Sequence, residues 1–330
     1  MGAMAILLIP TLGPLHLAHP RYNPVTPLEL TRAFGPDAVL LASQSPEGLA
    51  EGRWRDEEQL PLYHLLPWAE RTGVPVEALG ERAEDLRGEA ERFRGYLEEM
   101  PAGRRYLEEE AALRAPLEAA LKTPLTPERL GDEAFLAVLK GYLEGVRARF
   151  GAGPATGFRE LRMEQVAEAI GRLGPGRYAV WVDLLDYPEL LARLPEARPP
   201  GPHEPTEAER QRAVLDRAWR LAEEDDPASL LAQLQAIPGA EAGYLAAQLY
   251  LAAGRWQDAL TLLEKVAEGD FHHPGYLPGY LLARLGQLRD LAGERERALR
   301  AYRGVLALSW APEEARTIAL AGLRTPFRLE

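Results

Sequence analysis

Two histidines, an arginine and the chain's only asparagine (His16, His19, Arg21 and Asn23) fall within eight residues of one another. Imidazoles beside a guanidinium are the raw material of a metal or anion site. The cluster follows Ala5 to Ile9, an apolar run with the pattern of a strand buried on both faces. Other polar residues follow other such runs. Ser43, Gln44, Ser45 and Glu47 come after Asp37 to Ala42, Gly80 and Glu81 after Val74 to Leu79, and Asp183 and Asp186 after Tyr178 to Leu184. In a parallel sheet, ligands gather beyond the carboxyl ends of the strands, so these residues are expected to line one crevice. A metal-dependent or esterase-like hydrolase there would use His16, Glu81 and Asp183 as its base and acids. A small-ligand or haem-type binder would use His16, His19, Arg21, Asn23, Ser43, Gln44, Glu47, Arg162 and Asp186.

Blander roles compete for the same residues. His16-x-x-His19 has no third ligand in sequence and no fixed helical context, so neither a metal nor another cofactor is expected. Asp186 suits the start of a helix that Pro188 enters, and Glu81 lies where a helix's first turn favours an acid. No Gly-rich loop follows a strand, and neither a G-x-S-x-G elbow nor an H-E-x-x-H helix occurs. The chain has no cysteine, which excludes disulfides, Cys-ligated zinc and thiol catalysis.

The elements that would position these residues alternate at first. Strand, helix (Thr26 to Phe34, opening on a capping box Thr26-Pro27-Leu28-Glu29), strand, helix (Glu57 to Arg71) and a weaker strand imply a parallel sheet with right-handed crossovers. Residues 81–173 then read as a helical insertion, with breaks near Pro101–Gly103, Thr123–Pro127 and Gly151–Gly157, before the last strand. The five prolines between Pro195 and Pro205 mark a stiff, extended linker. The expected division is therefore an α/β domain over 1–194, a linker over 195–206 and an all-α domain over 207–330.

The C-terminal third repeats a phrase. Tyr250 to Leu263 (YLAAGRWQDALTLL) and Arg289 to Tyr302 (RDLAGERERALRAY) each close one helix on Ala-Gly and open another with an alanine five residues after the glycine. Glycine serves the tight reversal and alanine the close approach of antiparallel helices. These offsets, with Leu285-Gly286, resemble the tetratricopeptide repeat. The glycines stand 39 residues apart, against a standard period of about 34, and the excess sits in the Pro/Gly-rich Asp270 to Gly279. The resemblance implies a concave groove for a protein or peptide segment, with Tyr244, Gln248, Tyr250, Gln287 and Arg289 on the first helices of the two hairpins. Residues 312–323 fit a terminal capping helix. Dimerisation through the array is the competing use of the same surface.

Residues 5–194 resemble the TraB, ChaN and erythromycin-esterase group of α/β proteins. Gly13-Pro14-Leu15-His16 matches its Gly-x-x-His motif, and Ala69, Gly73, Pro75, Val76 and Leu79 match a later segment. Arg162, Ala167 and Ile170 match its Arg-started helix. The group's acid after the second strand is replaced by Ala42-Ser43-Gln44, its Glu after the third by Gly80, and its His after the last by Asp183. Those acids and histidines hold a metal or activate water in the group, so the resemblance implies a degenerate member, a pseudoenzyme.

A formal charge of −12 with no Lys/Arg-rich run argues against nucleic acid as a partner. No apolar run approaches the ~20 residues of a membrane span, and Ala5 to Pro10 is too short for a signal-peptide core, so a cytoplasmic protein is expected. Three lysines against 35 arginines, and one asparagine, fit a thermophilic source. The sequence as a whole therefore reads as a non-catalytic interaction or scaffold protein: an α/β domain followed by a tetratricopeptide-like helical domain.

Overall fold

The first strand, β1 (Ala5–Thr11), is apolar along its length because it lies at the interior of a five-stranded parallel sheet. The computed structural model describes residues 3–56, 58–80, 94–151 and 157–329, the side chains of 157 and 158 excepted. The sheet also contains β2 (Ala38–Leu41), β3 (Val76–Ala78), β4 (Arg177–Asp183) and β5 (Ala197–Arg198), in the order β3-β2-β4-β1-β5. Register places Thr11 opposite Asp183 and Leu41 opposite Trp181. Leu8, Ile9, Val39, Ala179 and Val180 are wholly buried, which is why these strands read as continuous apolar runs rather than alternating ones.

Around the sheet run α1 (Thr26–Phe34), α2 (Pro46–Glu51), α3 (Leu62–Thr72), α4 (Pro101–Lys122), α5 (Glu133–Phe150), α6 (Gly157–Gly171) and α7 (Tyr187–Arg193). Three local expectations change. The capping box at Thr26 does not form: no side chain caps α1, and Glu29 instead bonds Arg32 at 2.7 Å. Asn23 Oδ1 holds the entering turn by accepting from the Val25 N–H at 3.0 Å. Pro101 begins a helix rather than breaking one, since proline suits a first helical turn. The helix expected from Glu57 starts at Leu62, after the short α2 and a 3₁₀ turn at Arg53–Arg55.

The chain divides into two compact units, Met1–Arg210 and Gln211–Glu330. The proline-rich segment expected as a linker carries β5, whose Ala197 and Arg198 pair with Ile6 and Leu7 at the sheet's edge. Proline's missing N–H and extended φ are tolerated on an edge. Beyond it, His203 N–H donates to Glu128 at 3.0 Å and its Nε2 meets Glu209 at 2.8 Å. That bond to Glu209 raises the imidazole's pKa. The unit boundary falls inside α8 (Glu207–Arg220).

The second unit is helical: α9 (Pro227–Ala236), α10 (Ala240–Ala252), α11 (Trp256–Ala267), α12 (Leu277–Leu291), α13 (Arg295–Ala307) and α14 (Glu313–Arg324). The two repeated phrases make the same turn. Gly254 and Gly293 take φ of 73° and 76°. The next N–H, of Arg255 or Glu294, donates at 2.8 Å to the carbonyl of Tyr250 or Arg289. That is the left-handed helix end for which glycine is selected. Ala259 and Ala298 are wholly buried. Gly286 of α12 and Gly322 of α14 both abut the Tyr302 ring of α13, where a Cβ on either would overlap it.

A buried ionic cluster also ties this unit together. Arg212 Nε donates to Asp216 at 2.7 Å and its Nη1 to Glu241 at 2.9 Å. Glu241 accepts from Trp219 at 2.7 Å and from Tyr276 at 2.8 Å as well. Burial pushes the Asp216 carboxyl up to about 7. Against the same pressure of burial, Arg212 holds Glu241 below the ordinary carboxylate range. No described helix is long and apolar enough to cross a membrane.

Candidate functional site: a cleft at the carboxyl ends of the strands

β1 and β4 are neighbours whose chains leave in opposite directions, β1 toward β2 and β4 toward β5. Adjacent strands whose connections run opposite ways along the sheet open a crevice beyond their carboxyl ends. Here it is a cleft of about 730 Å³. Thr11, Ser43, Gln44, Gly80, Asp183 and Asp186 reach it from the strand ends. Arg53, Asp56 and Gln59 come from the segment after α2, Leu117 and Leu121 from α4, and Arg159, Arg162 and Met163 from α6.

The floor is cross-braced. Thr11 Oγ1 donates to Asp183 Oδ1 at 3.1 Å, and the Asp183 N–H donates to Ser43 Oγ at 2.9 Å. Gly80 N–H donates to the Gln44 carbonyl at 2.8 Å, so close that a Cβ at residue 80 would lie 2.9 Å from that oxygen. Backbone proximity is the reason glycine, not an acid, follows β3.

One charged pair on the wall is incompletely bonded. Arg159 Nη1 lies 3.4 Å from Asp186 Oδ1, both side chains being largely buried. Among the described residues, neither that oxygen nor Arg159 Nε and Nη1 has a hydrogen-bond partner. They attract each other by charge without the alignment of a hydrogen bond.

His16 does not reach the cleft. It is wholly buried and stacks on Tyr22. The Leu12 N–H donates to its Nε2 at 3.0 Å, so the ring proton sits on Nδ1 and is given to the Tyr22 carbonyl at 2.8 Å. Burial drives its pKa down to about 3. His16 is a neutral brace for the loop after β1, not a base or metal ligand. His19 is buried too and takes the Leu125 N–H on Nδ1 at 3.3 Å. Asn23 Nδ2 donates to the carbonyls of Pro20 and Glu209 at 3.0 and 2.9 Å. Arg21 and Glu47 are exposed and do not line the cleft. Glu81 lies outside the described residues.

The structure thus gathers Ser43, Gln44, Arg162, Asp183 and Asp186 and sends the histidine cluster inward. Sequence reading missed Arg53 and Arg159. Arg159 was legible only through its spacing, three residues before Arg162 and so on the same helix face. Among the described residues no group of three or more metal-ligating side chains stands together.

In the second unit, Tyr244 and Gln287 are buried. Tyr244 packs among Trp219 and Tyr280, and Gln287 accepts from Arg284 at 2.7 Å. Both work as internal packing residues rather than as groove contacts. Gln248, Tyr250 and Arg289 are partly exposed; Arg255 stacks over Tyr250, and Arg289 meets Glu264 at 3.4 Å. Comparison with protein-family models, curated proteins and solved structures gave no match to this chain.

Proposed function

We propose that this chain is a non-catalytic binding protein whose site is the cleft at the strand ends, with the helical unit as a tetratricopeptide-like scaffold. One observation carries the reading: polar residues at the ends of three separate strands, Thr11, Ser43, Gln44, Asp183 and Asp186, open on a single cleft of about 730 Å³, within the range of ~300–1,000 Å³ usual for small-molecule sites. The floor of that cleft is engaged in internal hydrogen bonds, and the histidine a hydrolase would recruit has both nitrogens committed elsewhere. A base must reach the proton it abstracts, and His16 does not. These features support an α/β domain that resembles the TraB and ChaN group and has kept the crevice without the chemistry.

The tetratricopeptide-like reading of the second unit draws support from the paired glycine turns and from the buried Ala259 and Ala298. With Tyr244 and Gln287 internal, a protein or peptide partner would be met through Gln248, Tyr250 and Arg289. The direct test is a thermal-shift screen of small polar molecules on the intact chain, repeated on Ser43→Trp, which fills the cleft. Compounds that stabilise the natural chain and lose their effect on a folded Ser43→Trp variant are the expected outcome. Finding none, or finding ester or peptide hydrolysis that Asp183→Asn abolishes, would overturn the reading.

A further inference from the structure

Among the described residues the cleft carries charges of both signs. Arg53, Arg159 and Arg162 contribute three positive groups, and Asp56, Asp183 and Asp186 three negative ones. Asp183 already accepts from Thr11, and Arg53 meets Glu51 at 3.1 Å. In the Arg159–Asp186 pair the charges sit 3.4 Å apart, Asp186 is 6% exposed, and three of the pair's polar atoms have no hydrogen-bond partner among the described residues. Leaving a buried donor or acceptor this way is unfavourable, so the pair is poised for a partner that supplies both an acceptor and a donor. The apolar lining of the same cleft includes Leu117, Leu121 and Met163.

Resting on the small-ligand reading above, we infer that the Arg159–Asp186 pair recognises the head of an α-amino acid carrying a large apolar side chain. In such a head the carboxylate and the ammonium are separated by one carbon, which matches opposite charges a few ångströms apart. The carboxylate accepts from the Arg159 guanidinium, with Arg162 on the same helix face, and the ammonium donates to Asp186. The side chain lies along Leu117, Leu121 and Met163. A purely anionic or purely cationic ligand would leave one member of the pair opposed by like charge. An α-hydroxy acid shares the geometry with a neutral donor and is the nearest competitor.

The test is calorimetric titration of the intact chain with L-phenylalanine, L-tryptophan and L-leucine. Parallel titrations use 2-phenylethylamine, 3-phenylpropionate, L-phenyllactate and glycine. At least one apolar amino acid is expected to bind. Removing its carboxylate, its ammonium or its side chain is expected to weaken binding at least about tenfold, the scale of one charge-assisted hydrogen bond. L-phenyllactate binding as well as L-phenylalanine would reassign the donor and sink the amino-acid assignment. Arg159→Met and Asp186→Asn, checked for an unchanged fold by circular dichroism, are each expected to abolish binding. Retained binding in a folded variant overturns the inference, and the analogue series decides it even if a variant fails to fold. If no amino acid binds but the screen above finds another compound sensitive to Ser43→Trp, the ligand class is wrong and the cleft reading stands. If nothing sensitive to Ser43→Trp is found, both fall.

Discussion

His16 shows how one side chain changes meaning with its surroundings. On a loop after a buried strand it reads as a catalytic or ligating group; folded, it accepts one backbone N–H and donates to one carbonyl. His16→Phe removes both bonds from a buried site and is expected to destabilise the first unit by about 2–5 kcal/mol, measured by urea unfolding. The pH dependence follows from its depressed pKa. Stability gained by keeping the ring neutral is fully present above about pH 6.5 and is lost as pH falls toward about 3. The natural chain should weaken across that window, and His16→Phe should flatten the slope. Gly80 offers a second residue-scale test. Alanine there would press a Cβ against the Gln44 and Ala42 carbonyls at 2.9 and 3.1 Å. The expected cost is about 1–3 kcal/mol in a denaturation midpoint, and a neutral Gly80→Ala would mean the two backbones are not so close.

Among the elements, the hairpins of the second unit were the most legible. The Ala-Gly pairs, the following alanines and the spacing of apolar residues specify α10 through α13 from local chemistry, since helix ends and close crossings are decided within a few residues. What the repeat pattern did not reveal is that α10 and α12 are buried on nearly every side, which takes Tyr244 and Gln287 out of any groove. The Tyr302 ring, held between Gly286 and Gly322, supplies the element-scale prediction. Gly286→Ala is expected to cost about 1–3 kcal/mol by overpacking. Combined with Tyr302→Leu, its effect should be much smaller than alone, because the two residues share one contact. Strict additivity of the two changes in thermal or urea unfolding would remove the close approach of α12 and α13 at that point.

At the scale of the molecule, the two units are expected to respond to pH with opposite sign. In residues 1–210 the His16 contribution is lost on acidification. In residues 211–330, Asp216 has a pKa raised from 3.8 to about 7, so its contribution is fully present below about pH 3.8 and is lost as pH rises through about 7. Glu241, held low, acts in the reverse direction at the acid end. Hydrogen exchange resolved by peptide and corrected for the intrinsic pH effect should therefore show protection falling in residues 211–330 between about pH 5 and 8. Over the same range residues 3–56 should hold or gain protection. Asp216→Asn should abolish the trend in the second unit and leave the first unchanged. If both units followed one curve, the buried cluster around Arg212 would not govern the second.

By itself the sequence determined the continuous apolar runs and the repeated Ala-Gly phrases, and with them the parallel strands, the helical second half and the list of polar residues at strand ends. Those features are local: burial on both faces writes a continuous apolar run, and a left-handed helix end writes a glycine. Only the tertiary structure decided which of those polar residues look outward. Ser43, Gln44, Asp183 and Asp186 meet because β4 pairs between β2 and β1, and strand order depends on long-range pairing that no local pattern encodes. Arg159 joins them from a helix far along the chain, and His16 is turned inward by two backbone groups that bond its two ring nitrogens. The Pro-rich segment likewise read as a tether, and it became a sheet edge because β1 had a free side to pair. A side chain's role here was set by which partners the fold brought within 3 Å or so of it, a distance the order of residues does not contain.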